Sequence, residues 1–496
     1  MRVPRRLGLV GAALALAFGA TACTASTSGH GAGPPASVST SATPTSTAPS
    51  SQTPTPSPSP SPSASQRPAC PTRYAAPDPK RPKVRLAFAV SADLATVQGS
   101  EHVEFTPDLP IAELVFRLTA NTAPTVAAGN KIVVHKATAD HGARAATYTP
   151  AGASSSTQGG LLHIPFASRV PAGTTVSADM TFTLTLGRGS FDRFGRTGTG
   201  ASSYAWFASA HPLLAWERGR GWHTEPMLEF TAESATSEAM QTDLTVIAPA
   251  GNTVIMSGDP PKGPPKGGFR TWHSTVDAAR DVSVAIGPFA VVDATVNGVK
   301  LRVGAPSARE RDQAVPLFKR AITEHAKRFG PFPFPSLSVA QVPAGGGGIE
   351  YPSSILMLGL SRVVAVHETA HQWFYAMVGD SQAQHAWLDE AFASYAEQLA
   401  DGTQPQAGSL TEPGAVDRPT ASYGNDVGGY YSVTYDKGAA ALHAARAAAG
   451  PARFDAAIRC YVNANAWRIA NPSDLRRALK GLPAALNVLR KAHALP

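Results

Sequence analysis

Two imidazoles four positions apart, in His367-Glu368-Thr369-Ala370-His371, constrain this chain more than any other stretch. Residues at that spacing share one face of a helix, so both rings aim at a single point. Glu368, one residue round, stands beside that point without occupying it. A third donor is needed to hold an ion there and leave a fourth position for water. A Gly and a His further along the same segment would supply it in one arrangement, but those positions are Phe374 and Met377. A His-x-x-Glu-His order is absent. What remains is a carboxylate from a following helix, and Glu390, in Trp387-Leu388-Asp389-Glu390, lies in register. The expected site is one zinc ion held by His367, His371 and Glu390, with Glu368 as general base. The bland reading, two surface histidines, leaves Glu390 unexplained. No Cys lies near the cluster, so a structural Cys-zinc site is not supported.

At the start of the chain, Arg2, Arg5 and Arg6 precede an apolar run from Leu7 to Ala20, followed by Ala20-Thr21-Ala22-Cys23. This reads as a signal peptide over residues 1–22. Either Cys23 is lipidated after cleavage, although Ala20 stands where a lipobox usually has Leu, or the leader is a plain secretory one. Both readings export the chain, as a lipoprotein on the outer side of the cell membrane or as a secreted protein. The apolar run is too short for a membrane span. From Thr24 to Pro68 almost every residue is Ser, Thr, Pro, Ala or Gly, and no Lys, Arg, Asp or Glu precedes Arg67. Such a segment buries too little apolar surface to offset its ordering entropy, so 23–70 is expected to be a disordered tether. The other cysteines are Cys70 and Cys460. Outside the cytoplasm they either form a bridge joining the two ends of the folded body or stay separate thiols. The net charge is +8, three of those charges being Arg2, Arg5 and Arg6. With no dense basic block and no aromatic-basic interleaving, a nucleic-acid partner is not expected.

The body divides by pattern into an N-terminal β domain over 71–303 and a catalytic domain over 304–496. Val84, Leu86, Phe88 and Val90 alternate with other residues, as do Leu114, Phe116 and Leu118, and Phe182, Leu184 and Leu186. Further strands are expected at Leu244–Ile247 and Val282–Ile286, and Asn297-Gly298 signals a hairpin. Tyr204–Pro226 carries Trp206, Trp216 and Trp222, which either line a cleft or pack between sheets. Past residue 304, Ser307 and Glu310 suggest a capping box, and Val315, Phe318, Ile322 and Phe329 follow at helical spacing. Leu337–Val342 reads as a strand. Four glycines before Glu350 let a backbone come close to a ligand, or else form a plain flexible loop; a carboxylate there could hold a cationic substrate group. Helices are expected over 435–449, 451–463, 471–479 and 484–494.

The ordered set Gly347-Gly348-Ile349-Glu350-Tyr351, His-Glu-x-x-His-Gln-Trp (367–373), Trp-Leu-Asp-Glu (387–390) and Tyr435-Asp436-Lys437-Gly438 resembles the aminopeptidase N family of zinc metallopeptidases, which are gluzincins. The resemblance implies an α+β multidomain fold: a β-rich saddle or sandwich followed by a thermolysin-like, mainly α catalytic domain. It implies that Glu350, with Gly347 and Gly348, binds the α-amine end of a peptide substrate, and that Tyr435 stabilises the oxyanion. Ile349 and Tyr351 depart from the family's Met and Asn, which bears on amine recognition. The family usually adds a large C-terminal helical domain, and the few residues after Ala449 point to a more open cleft. Ser394, Glu397 and Asp389 all stand where they could support the metal ligands. The expected function is removal of N-terminal residues from peptides by metal-activated water. The alternatives are a zinc endopeptidase or other zinc hydrolase without amine recognition, and a non-catalytic binding lipoprotein of the same fold; the retention of Glu368 and Tyr435 argues against the last.

Overall fold

Alternating burial builds the first part of the body. Lys83–Val90 buries Val84, Leu86, Phe88 and Val90 and turns Lys83 and Arg85 to solvent, as a strand with one covered face must. In the computed structural model, which describes residues 70–189, 192–227 and 236–496, this strand sits inside a six-stranded sheet. The order is Phe269–Ala279, Met240–Pro249, Lys83–Val90, Thr96–Phe105, Val176–Thr185, Lys131–Ala139. The expected leader, the lipid on Cys23 and nearly all of the tether lie outside the described residues. Two four-stranded sheets, centred on Ile111–Arg117 with Leu161–Val170 and on Ser283–Gly287 with Tyr204–Ala208, share its core. Phe88 meets Phe182 and Phe207 edge-on there. The tryptophan patch separates: Trp216 and Trp222 pack on Phe105 in this core, whereas Trp206 faces Ile349 and Tyr351.

A second sheet runs Ala290–Val296, Val299–Ala305, Ser336–Gln341, Ser354–Met357, Gly348–Tyr351. Asn297 and Gly298 join its first two strands with φ of 50° and 81°, the doubly left-handed turn that matches the twist of a hairpin. The expected boundary at 303/304 falls inside this sheet. Residues 303 and 304 lie within one strand, and the hairpin from Ala290 onward pairs with the sheet of the catalytic part. The first helical pattern begins later, and strand pairing of this kind leaves no local trace in the sequence.

Helix Ala308–Phe329 opens on Ser307, whose Oγ accepts from the Glu310 amide at 3.2 Å. The Glu310 carboxylate takes the Ser307 hydroxyl rather than its amide, so only half of the capping box forms. Helices Arg362–Ala370, Trp387–Asp401, Gly438–Ala449 and Pro451–Asn465 complete the catalytic part, with shorter ones at Pro472–Ala478 and Pro483–Lys491. Gly348–Tyr351 is a strand, not a loop. The helix expected from 435 begins earlier, as a π-helical stretch over Tyr431–Lys437. Cys70 and Cys460 are bridged, their Cα atoms 5.2 Å apart, and beside the bridge Asn463 Nδ2 donates to the Pro71 carbonyl at 2.6 Å.

One charged residue contradicts the alternation. Glu101 lies on the covered face of Thr96–Phe105, beside Leu86 and Met180 on the neighbouring strands, and is 3 % exposed. Its Oε2 has no hydrogen-bond partner, and burial pushes its carboxyl well above the usual range. Below pH ~4.5 the carboxyl is protonated in both folded and unfolded chains. As pH rises, the unfolded chain ionises first, so stability falls until the folded carboxyl itself titrates. Glu101→Met is expected to be more stable than the parent by about 1–3 kcal/mol at neutral pH. Denaturant titrations from pH 4 to 8 check this; a gap that does not widen with pH contradicts it.

Candidate active site

The helix that bears His367 is short and is held by its neighbours. Ser361 caps Arg362–Ala370 by accepting from the Val364 amide, and Ala321, Val366 and Ala400 pack together where three helices meet. His325 Nε2, from helix Ala308–Phe329, donates to the Val366 carbonyl at 2.9 Å. His371 is the C-cap of the helix, and Glu390 stands in the first turn of Trp387–Asp401. The helix dipoles therefore favour positive charge at the one and negative charge at the other.

The three expected ligands converge. Glu390 Oε2 lies 3.3 Å from His367 Nε2 and 3.4 Å from His371 Nε2. Bonds of 2.0–2.2 Å to a tetrahedral zinc put neighbouring donor atoms about 3.3–3.4 Å apart, so the donor set fits that ion. Carboxylates stand behind the outer nitrogens. His371 Nδ1 meets Asp389 Oδ1 at 2.5 Å, and Gln382 Nε2 donates to the other oxygen of Asp389 at 3.4 Å. Glu397 Oε2 is 3.6 Å from His367 Nδ1. Of the three supporting candidates, Asp389 and Glu397 face the outer ring nitrogens, and Ser394 makes no hydrogen bond to either ring among the described residues. Burial alone would push the His367 imidazole down, but Glu390 and Glu397 outweigh it and lift it to about 9. Burial opposes the charge of Glu390 too, yet His371 and His367 hold its carboxyl well below the usual range. The site is built for a positive guest.

The remaining site residues surround these ligands. Glu350 is buried on strand Gly348–Tyr351, and one of its oxygens lies within 4.8 Å of ligand atoms of His371 and Asp389. Glu368 is buried as well, and its side chain crosses directly over Gly348: a Cβ there would come 2.6 Å from Glu368 Cγ. A side chain at Gly348 would run into Glu368, while Gly347 has a φ of 103°. The Tyr435 ring lies parallel to His367, centroids 5.9 Å apart. Burial, and then the charge of Glu390, push its hydroxyl far up, so it stays a proton donor. The motif around Tyr435 has a mechanical reading. Lys437 Nζ donates to the carbonyls of Glu412 and Gly414 at 2.7 and 2.6 Å. Gly438 lets its helix close on Ala391, whose Cβ would lie 2.4 Å from an added Cβ. That close approach sets Tyr435 over the ligands, on a π-helical stretch of the kind common at functional sites.

Two supports had no sequence signal of their role. Gln372 Nε2 donates to the Tyr351 carbonyl at 3.0 Å and its Oε1 accepts from the Ser353 amide at 3.0 Å, clamping the glutamate strand to the metal helix. Arg280, 3 % exposed, donates to the carbonyls of Tyr375, Ser237 and Arg468 at 2.7, 2.8 and 2.9 Å. It holds the turn after His371, where Tyr375 has a φ of 106°.

A helix that offers two imidazoles and a carboxylate base, closed by a glutamate of the next helix, defines a gluzincin-type metal centre. The family model for the Peptidase family M1 domain matches residues 354–491, which is consistent with the aminopeptidase N-like family that the motifs resemble. Aminopeptidase M1-B of Oryza sativa subsp. japonica is 25 % identical over 239 residues, covering 40 % of this chain and 27 % of that protein. Aminopeptidase M1 of Arabidopsis thaliana is likewise 25 % identical over 239 residues, with the same coverage. The chain thus spans about a quarter of the length of these relatives. The M1 zinc metallopeptidase from Deinococcus radiodurans superposes with a TM-score of 0.62 at 20 % identity, covering 84 % of this chain and 94 % of that one. A two-domain M1 zinc metallopeptidase mutant bound to L-arginine superposes with a TM-score of 0.61 at 20 % identity, covering 83 % and 93 %. These neighbours share the β-rich region followed by a helical catalytic part.

Asp389→Asn is expected to weaken zinc binding about 10–100-fold, as loss of a ligand's hydrogen-bonded carboxylate does elsewhere, while Ser394→Ala leaves it unchanged. Competition against a chromophoric chelator measures both; equal affinities for Asp389→Asn and the parent contradict the assignment.

Proposed function

We propose that this protein is a zinc-dependent aminopeptidase that removes N-terminal residues from peptides. The observation that carries the reading is the placing of Glu350 within reach of His371, beside a donor triad spaced for zinc. When bound, a zinc ion supplies Lewis acidity, acidifying water and polarising a carbonyl. Glu368 takes the proton from the attacking water and returns it to the leaving amine. Tyr435 donates its hydroxyl hydrogen to the carbonyl oxygen as negative charge gathers there. Glu350 pairs with the substrate ammonium and sets how far the chain can advance, so that cleavage falls after the first residue. The L-arginine bound to an M1 structural neighbour supports a site that receives an amino acid. The arginine-bearing leader, with the Cys70–Cys460 bridge, supports an exported body, and we propose that lipid on Cys23 tethers it to the membrane.

A peptide with a free N-terminus is expected to be cleaved, and its N-acetylated form and the chelated enzyme to be inert. Equal turnover of both peptide forms rules out the aminopeptidase reading. Glu368→Gln should lower kcat about 10²–10⁴-fold with one zinc still bound. Gly348→Ala, which drives a methyl group into Glu368, should lower kcat in the same direction with zinc retained. Full activity in the first variant removes Glu368 from the mechanism.

A further inference from the structure

Tyr351 stands next to Glu350, at a position where the resembled family has Asn, and its surroundings are specific. The ring is fully buried, and its hydroxyl accepts from Arg193 Nη1 at 2.9 Å. Arg193 is itself only 6 % exposed and comes from the β-rich part. The segment bearing it is fastened to strand Tyr204–Ala208: the Ala208 amide donates to the Arg193 carbonyl and Trp206 Nε1 to the Asp192 carbonyl, both at 3.0 Å. At its other end Tyr351 is tied to the metal helix, since its carbonyl accepts from Gln372. An unbroken chain of bonds therefore runs from the β-rich part, through Arg193 and the Tyr351 ring, past Glu350, to the residue after His371. A guanidinium buried against a phenol oxygen is a strong and directional contact. Asn, shorter by a ring, could not span the same gap.

We infer that Tyr351 and Arg193 are positioning residues for substrate amine recognition: their contact fixes the strand carrying Glu350 and so sets the carboxylate where the ammonium binds. The inference rests on the aminopeptidase reading and adds to it a device peculiar to this chain. Glu350 touches the substrate; Tyr351 and Arg193 act through it. Removing the hydroxyl leaves in place the Gln372 bonds to the Tyr351 carbonyl and the Ser353 amide, which keep the strand on the helix of His367 and His371, so the loss falls on binding rather than on the chemical step.

Steady-state kinetics on a dipeptide amide with a free N-terminus test this, with zinc content and thermal stability measured on the same samples. Tyr351→Phe keeps the ring and removes only the hydroxyl; it is expected to raise KM about 10-fold while kcat changes less than about 2-fold and zinc stays at one per chain. Arg193→Gln, which also takes away the guanidinium over the ring, should raise KM at least as much, and the double variant should be no worse than Arg193→Gln alone, because the shared hydrogen bond is already gone. Additive losses, a fall in kcat at unchanged KM, or no change in either parameter overturn the inference while leaving the aminopeptidase reading intact. A parent enzyme that cleaves free and N-acetylated substrates alike overturns both, and that outcome is told apart by the parent alone.

Discussion

One carboxylate oxygen shared between two imidazole nitrogens is the constraint on which the catalytic part depends. Glu390 Oε2 sits 3.3 and 3.4 Å from His367 and His371, and nothing local holds it there. Two helix ends must be brought together, one offering its C-terminus and the other its N-terminus, so that the peptide dipoles favour the charges they carry. The packing serves that juxtaposition. Small residues, Ala321, Val366 and Ala400, let three helices meet, and Gly438 admits a fourth against Ala391. Buried imidazoles and carboxylates of this density are costly without compensation, and here each ring has a carboxylate behind it: Asp389 for His371, Glu397 for His367.

The two parts of the body are joined by polar contacts buried deep enough to matter. Arg280 reaches from the end of a strand of the β-rich part to four backbone carbonyls of other segments, including the strained turn at Tyr375. Arg193 does the same for the glutamate strand. A guanidinium suits both tasks because its donors are rigid and many. The β-rich part therefore takes a share in the geometry of the site, although His367, His371 and Glu390 all lie outside it.

What was legible in the sequence was whatever chemistry forces into local spacing. The i, i+4 histidines, the glutamate on the following helix, the alternation of Val84 to Val90 and the Asn297-Gly298 turn each follow from the geometry of one element. The order of motifs added Glu350 and Tyr435. The sequence hid what pairing across distance decides. The hairpin from Ala290 reads as part of the β-rich region until Val299–Ala305 is seen beside Ser336–Gln341. Gly348 reads as room for a ligand, when its missing side chain makes room for Glu368. Asp389 could not be chosen over Ser394, because helical spacing says which residues share a face and not which ring nitrogen they meet. Arg193 and Arg280 carried no signal at all; a charged residue earns its place in a core only through partners elsewhere in the chain.

The central claim is that His367, His371 and Glu390 grip one zinc ion through two nitrogens and an oxygen. X-ray absorption at the zinc edge on the purified body tests it most directly. The account predicts one zinc per chain with two imidazole nitrogens at about 2.0–2.1 Å, light oxygen donors at about 2.0–2.2 Å and no sulfur, and loss of that signature in Glu390→Ala. Protein free of zinc after reconstitution, or a spectrum with a single imidazole, would contradict it.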